Sequence, residues 1–97
     1  MGNLAGVLNE QGKLKEAENL YTQVLSSQER VLGIEHTDTL GTKHDLALVY
    51  CRQGRWRESQ ELNSRVLEIR NHILGPNHPY TLTTKHNLAL VLKEQGK

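Results

Sequence analysis

The chain repeats itself every 42 residues, and this period constrains its fold more than any other feature. The tripeptides at 3–5, 45–47 and 87–89 align, and their first residues are 42 apart. The segment 32–36 returns as 74–78, and the segment 39–44 returns as 81–86. A period of this size is typical of a solenoid, in which each unit buries its apolar face only by stacking on a neighbour. The sequence therefore predicts an extended surface and not a catalytic pocket.

The composition is that of one domain without an electrostatic preference for nucleic acid or membranes. The chain has 97 residues, and the period divides this single domain (1–97) into units 3–44 and 45–86 and a partial unit 87–97. Lys plus Arg (12) nearly balances Asp plus Glu (11). The apolar runs are far shorter than a membrane span, and no secretory signal precedes the repeat. Because the single cysteine, Cys51, excludes an internal disulfide, we expect a cytoplasmic protein.

Apolar spacing and helix-ending glycines predict an all-α chain of five helices. Apolar residues recur at helical spacing from Pro79 to Gln95, and we name this type of helix A. Its copies are residues 37–53 and, truncated, 2–11. A broader apolar stripe covers 13–32 and returns at 55–74, and we name this type B; Gly33 and Gly75 end the two copies. The short links between them predict antiparallel hairpins in the order A-B-A-B-A.

The residues that could carry chemistry are better explained by structure. The five histidines lack the i, i+4 spacing of a helical zinc site, and four of them are two repeat pairs. We expect one of these pairs, His36 and His78, to act at helix N-termini. The glycines are isolated, so no phosphate-binding loop is present, and Glu16 and Glu18 lie on different helical faces. We therefore predict a protein that is not an enzyme, with no catalytic residues, no metal and no cofactor.

Several segments resemble a known repeat family in register. They are the Asn-Leu-Ala tripeptide of the A helices, the Gln-Gly-Lys or Gln-Gly-Arg turn, the start of the first B helix at 15–21, and the link at 74–79. Together they resemble tetratricopeptide repeats of the long, kinesin-light-chain type, over the whole chain. This resemblance implies a right-handed α-solenoid of antiparallel helix hairpins. It also implies a module for protein–protein interaction that binds a peptide or protein on the concave surface lined by the A helices.

The resemblance places the floor of that concave surface on matching positions of the A helices. An asparagine at Asn3 and Asn87 resembles the family residue that hydrogen-bonds the backbone of a bound peptide, and Asp45 replaces it in the middle unit. The cations Arg52 and Lys93 are offset by nearby carboxylates, which disfavours capture of an acidic chaperone tail. We call the following set the groove floor: Asn3, His44, Asp45, Leu48, Arg52, His86, Asn87, Leu90 and Lys93.

Two alternatives to peptide binding remain open on the sequence. The polar floor residues could merely solvate the inner wall, in which case the chain is a structural spacer without its own ligand. The chain could also self-assemble through its terminal helices. Residues 87–97 differ from 3–13 only at Leu90 for Gly6 and Lys93 for Asn9, so similar helices can compete for similar packing places. We further expect Leu88, Val91 and Leu92 to be partly uncovered, which favours a homo-oligomer.

Overall fold

The computed structural model describes residues 13–96, and these fold into helices joined by short links without any strand. The helices are α1 (Leu14–Val31), α2 (Thr37–Arg52), α3 (Trp56–Leu74) and α4 (Pro79–Gln95). Each bound lies within one residue of the prediction, with α1 and α3 as B helices and α2 and α4 as A helices. The all-α prediction is confirmed. The first predicted A helix (2–11) lies outside the described residues.

Both A helices begin with the same histidine cap. His36 precedes α2 and His78 precedes α4, and in each case the ring Nδ1 accepts a hydrogen bond of 3.1 Å from a backbone N–H two residues later. The first N–H groups of a helix have no partner inside the helix, so the ring supplies one. The two caps have nearly identical backbone angles, with φ −66° at both residues and ψ of 143° and 142°. The role predicted for this pair at helix N-termini is confirmed.

Glycine conformation lets the chain leave the B helices. Gly33 follows α1 with a φ of 97°, and Gly75 follows α3 with a φ of 92°. Residues with a Cβ rarely adopt such angles. A Cβ built on either glycine would meet nothing within 4 Å, so these positions need glycine for its backbone freedom and not for lack of space. The period thus places the same turn chemistry after both B helices.

The helices form a flat slab in which each helix packs on its neighbour in the chain. Contacts join α1 to α2, α2 to α3, and α3 to α4. The described residues extend over 39 × 34 × 18 Å, so the slab is only about two helix diameters thick. The side chain of Asn87 on α4 touches His44 on α2, which places the two A helices side by side in one layer.

The first interface of the slab is apolar. Ala17 and Tyr21 of α1 are buried against Leu46 and Val49 of α2. Partly buried side chains extend this cluster toward α3 and the turns: Leu14, Leu20, Leu25, Tyr50 and Leu62. Burial of such side chains is worth about 1.5–3 kcal/mol each when complete, so this cluster is a major apolar contribution to stability in residues 13–96.

A polar network braces the same interface at its edge. Glu18 of α1 accepts hydrogen bonds from Gln53 Nε2 (3.2 Å) and from Arg55 Nη1 (3.0 Å), and Arg55 also pairs with Glu58 at the start of α3. The Arg55 guanidinium lies 4.4 Å from the centre of the Tyr50 ring. Burial raises the pKa of Glu18, but the hydrogen bonds from Gln53 and Arg55 outweigh it and leave the pKa below its usual value.

The face that α3 turns toward its neighbours is unexpectedly polar. Ser59 Oγ donates a hydrogen bond of 2.7 Å to the Ala47 carbonyl of α2, and Asn63 Nδ2 lies 3.5 Å from Ser59 Oγ. Asn63 is only 1% exposed, and Ser59 is its partner. Asn63 Oδ1 is buried without a hydrogen bond among the described residues.

Ser59 and Asn63 should contribute to stability as a pair. We expect Ser59→Ala to lower the free energy of unfolding by about 1–3 kcal/mol, because it removes the bond to Ala47 and leaves the Asn63 amide without its partner. Adding Asn63→Leu, which keeps the number of side-chain heavy atoms, should recover most of that loss. Urea unfolding of the two single variants and the double variant measures the coupling. Additive effects would show that the two side chains do not depend on each other.

Gly75 and Gly41 form a matched pair for testing backbone strain. A Cβ at either position would have no atom within 4 Å, but only Gly75 has a positive φ. We expect Gly75→Ala to destabilise the chain by about 1–3 kcal/mol. By contrast, Gly41→Ala within α2 should be neutral or stabilising by up to about 1 kcal/mol. Thermal unfolding followed by circular dichroism compares them; equal destabilisation by both substitutions would contradict this account.

Candidate functional site

The two A helices carry the described part of the groove floor. His44, Asp45 and Leu48 on α2 and Asn87 on α4 are half-buried, whereas Leu90 is 47% exposed. Arg52, His86 and Lys93 are also exposed. Asn3 lies outside the described residues. The floor therefore combines half-buried polar groups near the middle of both helices with exposed charges toward their C-terminal ends.

One contact joins the two helices within the groove floor. Asn87 Nδ2 lies 3.2 Å from His44 Nδ1 and 3.3 Å from Nε2. The amide N–H can donate only to a ring nitrogen without a proton. Burial lowers the pKa of His44, the Asp45 carboxylate opposes this, and the Arg70 cation adds to it. The neutral imidazole is thus favoured, and the amide predicted to bind a peptide backbone already has a partner within the chain.

Asp45 is a half-buried carboxylate beside this contact. Burial raises its pKa, and the neighbouring charges of His44 and Arg70 lower it by less. Among residues 13–96 no cation lies within 4.0 Å of its oxygens. Asp45 therefore remains an acceptor that is open to a bound group.

Arg70 belongs to this site, and the sequence analysis missed it. It lies near the C-terminal end of α3 and is only 7% exposed. Its Nη1 donates hydrogen bonds to Thr84 Oγ1 (2.8 Å) and to the Tyr80 carbonyl (3.4 Å), and its guanidinium lies 5.3 Å from the centre of the Tyr80 ring. Through these contacts a B-helix cation reaches the layer of the A helices.

The sequence alone does not mark Arg70 as buried, because its helical face contains only one apolar residue, Val66. The buried residues of α3 are Ser59, Asn63, Val66 and Arg70, which follow the i, i+4, i+7, i+11 spacing of one helical face. A cation in the buried stripe of a helix needs compensation by other groups, so it is a candidate for function. The residue at the equivalent position of the preceding unit is Gln28, 42 residues earlier.

A shallow cavity of about 610 Å³, widely open to solvent, lies between these helices. It lies beside the N-terminal halves of α2 and α4 and the C-terminal ends of α1 and α3. The residues that line it are Gln28, Thr37, Asp38, Gly41, Thr42, Asp45, Arg70 and Tyr80. We call this the Arg70 cavity. It adjoins the groove floor through Asp45 and offers both hydrogen-bond donors and acceptors.

The described residues offer neither a metal cage nor a membrane helix. Between residues 13 and 96, His, Cys, Asp and Glu side chains do not gather in groups of three that could hold a metal ion. None of the four helices is both long and apolar enough to cross a bilayer. Cys51 of α2 is half-buried, and burial raises the pKa of its thiol, with Glu94 adding to that effect.

Solved structures with the same architecture exist. Two crystal structures of a Podosopora anserina protein, described as a kinesin light chain with nearly identical TPR-like repeats, match with a TM-score of 0.90 and 33% sequence identity; one of the two is a variant with a single substitution. The match covers 98% of this chain and 45% of theirs, so this chain spans less than half of their length. No curated protein is similar enough to be matched to the sequence.

Family models account for the whole sequence. A tetratricopeptide repeat model matches residues 38–97, and a second one matches residues 1–38. Repeats of this kind generally mediate protein–protein interactions and generally belong to scaffolds that are not enzymes. The period, the helix hairpins, the family models and the similarity to the kinesin-light-chain repeats agree. The chain belongs to the tetratricopeptide repeat family and has repeats of the kinesin-light-chain type.

Proposed function

We propose that the chain is a protein-interaction module of a cytoplasmic scaffold that binds an extended peptide or protein segment along α2 and α4. The observation that carries this proposal is the row of half-buried polar groups on the two A helices, next to the Arg70 cavity. An extended peptide presents alternating backbone donors and acceptors, so it needs both kinds of partner along its path. Asp45 supplies a hydrogen-bond acceptor, and the Asn87 amide can supply a donor or an acceptor.

Exposed leucines and mixed charges support a protein partner. Leu90 is exposed on α4 and Leu48 is half-buried on α2, so both can contact apolar side chains. Arg52 and Lys93 lie on the same helices as Asp45 and Asn87. A floor with both signs of charge gives no advantage to a polyanion such as nucleic acid, which is bound through clustered cations. The free Cys51 thiol supports a reducing compartment.

Charge reversal on the groove floor tests the proposal. Peptides that bind the chain are first selected from a random display library, and their affinities are measured by fluorescence anisotropy. We expect Arg52→Glu with Lys93→Glu to change these affinities by about tenfold or more, because two contacts at the floor reverse sign. Circular dichroism should show unchanged helicity, since both side chains are exposed.

A matched control lies on the B-helix layer. The double substitution Arg57→Glu with Arg65→Glu makes the same change in net charge at two exposed positions of α3. It should leave the affinity for the selected peptides within about twofold, the change expected from a distant screened charge. Equal effects of the two double variants, or no effect of the floor variant, would show that the groove floor is not the binding site.

Self-assembly is a second candidate function, which an open face of α4 favours. Leu40 of α2 is 3% exposed, whereas Leu82, at the same place in α4, is 48% exposed. Likewise, Ala47 of α2 is buried, whereas Ala89, at the same place in α4, is exposed. Within residues 13–96, α2 packs between two B helices and α4 packs on one. The open face is the stripe of Leu82, Ala89 and Leu92, with i, i+7, i+10 spacing.

The residues expected at this face need one correction. Leu92 is exposed and Leu88 is half-buried, as the sequence predicted, but Val91 is only 2% exposed. Val91 is buried because it lies on the side of α4 that packs against α3, as Val49 lies on the side of α2 that packs against α1. We propose that a second copy of the chain covers the open face, since this face matches the part of α2 that α3 covers.

Light scattering coupled to size exclusion tests self-assembly. We expect the chain to form dimers or larger assemblies at micromolar concentrations, because each half-exposed leucine that becomes buried contributes about 1 kcal/mol. Leu82→Glu with Leu92→Glu should give a monomer. The control is Ile34→Glu with Ile73→Glu, which alters two other exposed apolar residues and should leave the assembly unchanged. A strict monomer at high concentration would exclude this function.

A further inference from the structure

The Arg70 cavity contains a charge whose burial is poorly compensated. Arg70 is 93% buried, since 7% of its surface is exposed. Yet no carboxylate among residues 13–96 lies within 4.0 Å of its guanidinium. Transfer of a cation from water to a protein interior costs several kcal/mol unless ion pairs and hydrogen bonds replace its hydration. The neutral oxygens of Thr84 and Tyr80 supply only part of that replacement.

The Arg70 guanidinium has more N–H donors than its two hydrogen bonds use. Arginine carries five N–H groups in a planar fork. Both hydrogen bonds that hold Arg70 against α4 use the same nitrogen, Nη1. These bonds and the nearby Tyr80 ring fix the orientation of the fork. Arg70 therefore presents N–H donors in a fixed orientation to the cavity that it lines.

The other walls of the cavity supply acceptors. Asp45 lines it with a half-buried carboxylate that has no ion pair within residues 13–96. Gln28 lines it as well, although its Oε1 has almost no accessible surface and no hydrogen-bond partner in the described part of the chain. A buried acceptor without a partner costs about 1–3 kcal/mol. Gly41 adds no side chain to the wall, and a Cβ there would meet nothing within 4 Å.

The charges of the lining decide which class of ligand fits. The charged lining residues are one cation, Arg70, and two carboxylates, Asp38 and Asp45. A carboxylate ligand would pair with Arg70 but would be repelled by both acids. A cationic ligand would pair with the two carboxylates but would be repelled by the Arg70 guanidinium. A primary carboxamide is neutral, accepts a hydrogen bond through its oxygen and donates two through its NH₂ group, so it can satisfy Arg70 and Asp45 together.

We infer that the Arg70 cavity binds the carboxamide side chain of a glutamine or asparagine residue in a peptide held on the groove floor. The carboxamide oxygen accepts from the Arg70 guanidinium, and its NH₂ group donates to the Asp45 carboxylate. This inference rests on the proposed peptide-binding function and gives that function a side-chain preference. A backbone amide has the same acceptor but only one N–H, so it serves the site less well.

Short capped peptides test the preference directly. The probes are Ala-X-Ala tripeptides with an N-acetyl group and an N-methylamide, where X is Gln, Glu, Lys or Ala, and the amide signals of Gly41, Thr42 and Thr84 are followed by NMR during titration. We expect the Gln peptide to bind about fivefold more tightly than each of the others, since it alone pairs both partners. The Ala peptide reports binding through backbone amides alone.

Two variants copy residues from the other units of the repeat. Arg70→Gln introduces the residue that the first unit has at Gln28, and Asp45→Asn introduces the residue that the third unit has at Asn87. The first should weaken binding of the Gln peptide by about fivefold or more. The second removes the carboxylate that accepts from the NH₂ group, so the advantage of the Gln peptide over the Glu peptide should fall. Arg57→Gln, at an exposed site on α3, is the control.

The outcomes separate this inference from the proposed function. Tighter binding of the Glu or Lys peptide to the unmodified chain, equal binding of all four, or no binding would overturn the carboxamide site. Each of these results leaves the groove-floor test with Arg52 and Lys93 intact, since that test uses library peptides and different residues. If Arg70→Gln loses helicity, Asp45→Asn decides alone, and an unchanged preference for the Gln peptide in that variant would also overturn the inference.

Discussion

Hydrogen bonds between α3 and both neighbouring helices are the constraint on which the groove depends. Ser59 Oγ bonds to the Ala47 carbonyl of α2, and Thr81 Oγ1 of α4 bonds to the Arg70 carbonyl at 3.3 Å. The A helices lie in one layer, but most of their packing is with the B helices behind them. The distance and angle between α2 and α4 are therefore set by how α3 holds each of them. Buried directional bonds fix that register more narrowly than apolar contacts alone.

Local signals were sufficient to predict the helices, their caps and their ends. The apolar spacing, the histidines before the A helices and the glycines after the B helices each act within a few residues, and for the four described helices the structure agrees with them within one residue at every bound. The contact between His44 and Asn87 was not predicted, because it joins residues 43 apart in sequence. The sequence placed both on the groove floor, but helical periodicity does not determine which residues of two helices meet.

The polar residues buried inside the slab were the second feature that could not be predicted from the sequence. The stripe of Ser59, Asn63, Val66 and Arg70 contains only one apolar residue, so the sequence does not predict that this face is buried. All four residues are nevertheless buried. Their counterparts in the first unit are Ala17, Tyr21, Val24 and Gln28. The B helix has nearly the same bounds in both units, whereas the side chains at three of these four places change from apolar or neutral to polar or charged. Two units of one repeat can thus share a fold and differ in chemistry.

The thinness of the slab has a consequence for how binding preferences can change. With a shortest dimension of 18 Å, a long side chain that starts in the rear layer can end in the front one, as Arg70 does. In the peptide-binding function proposed above, a residue on a B helix therefore contributes to recognition by the A helices while every A-helix residue stays the same. Substitutions in the rear layer that keep the bonds of Ser59 and Thr81 can therefore change the proposed ligand preference and preserve the shape of the front layer.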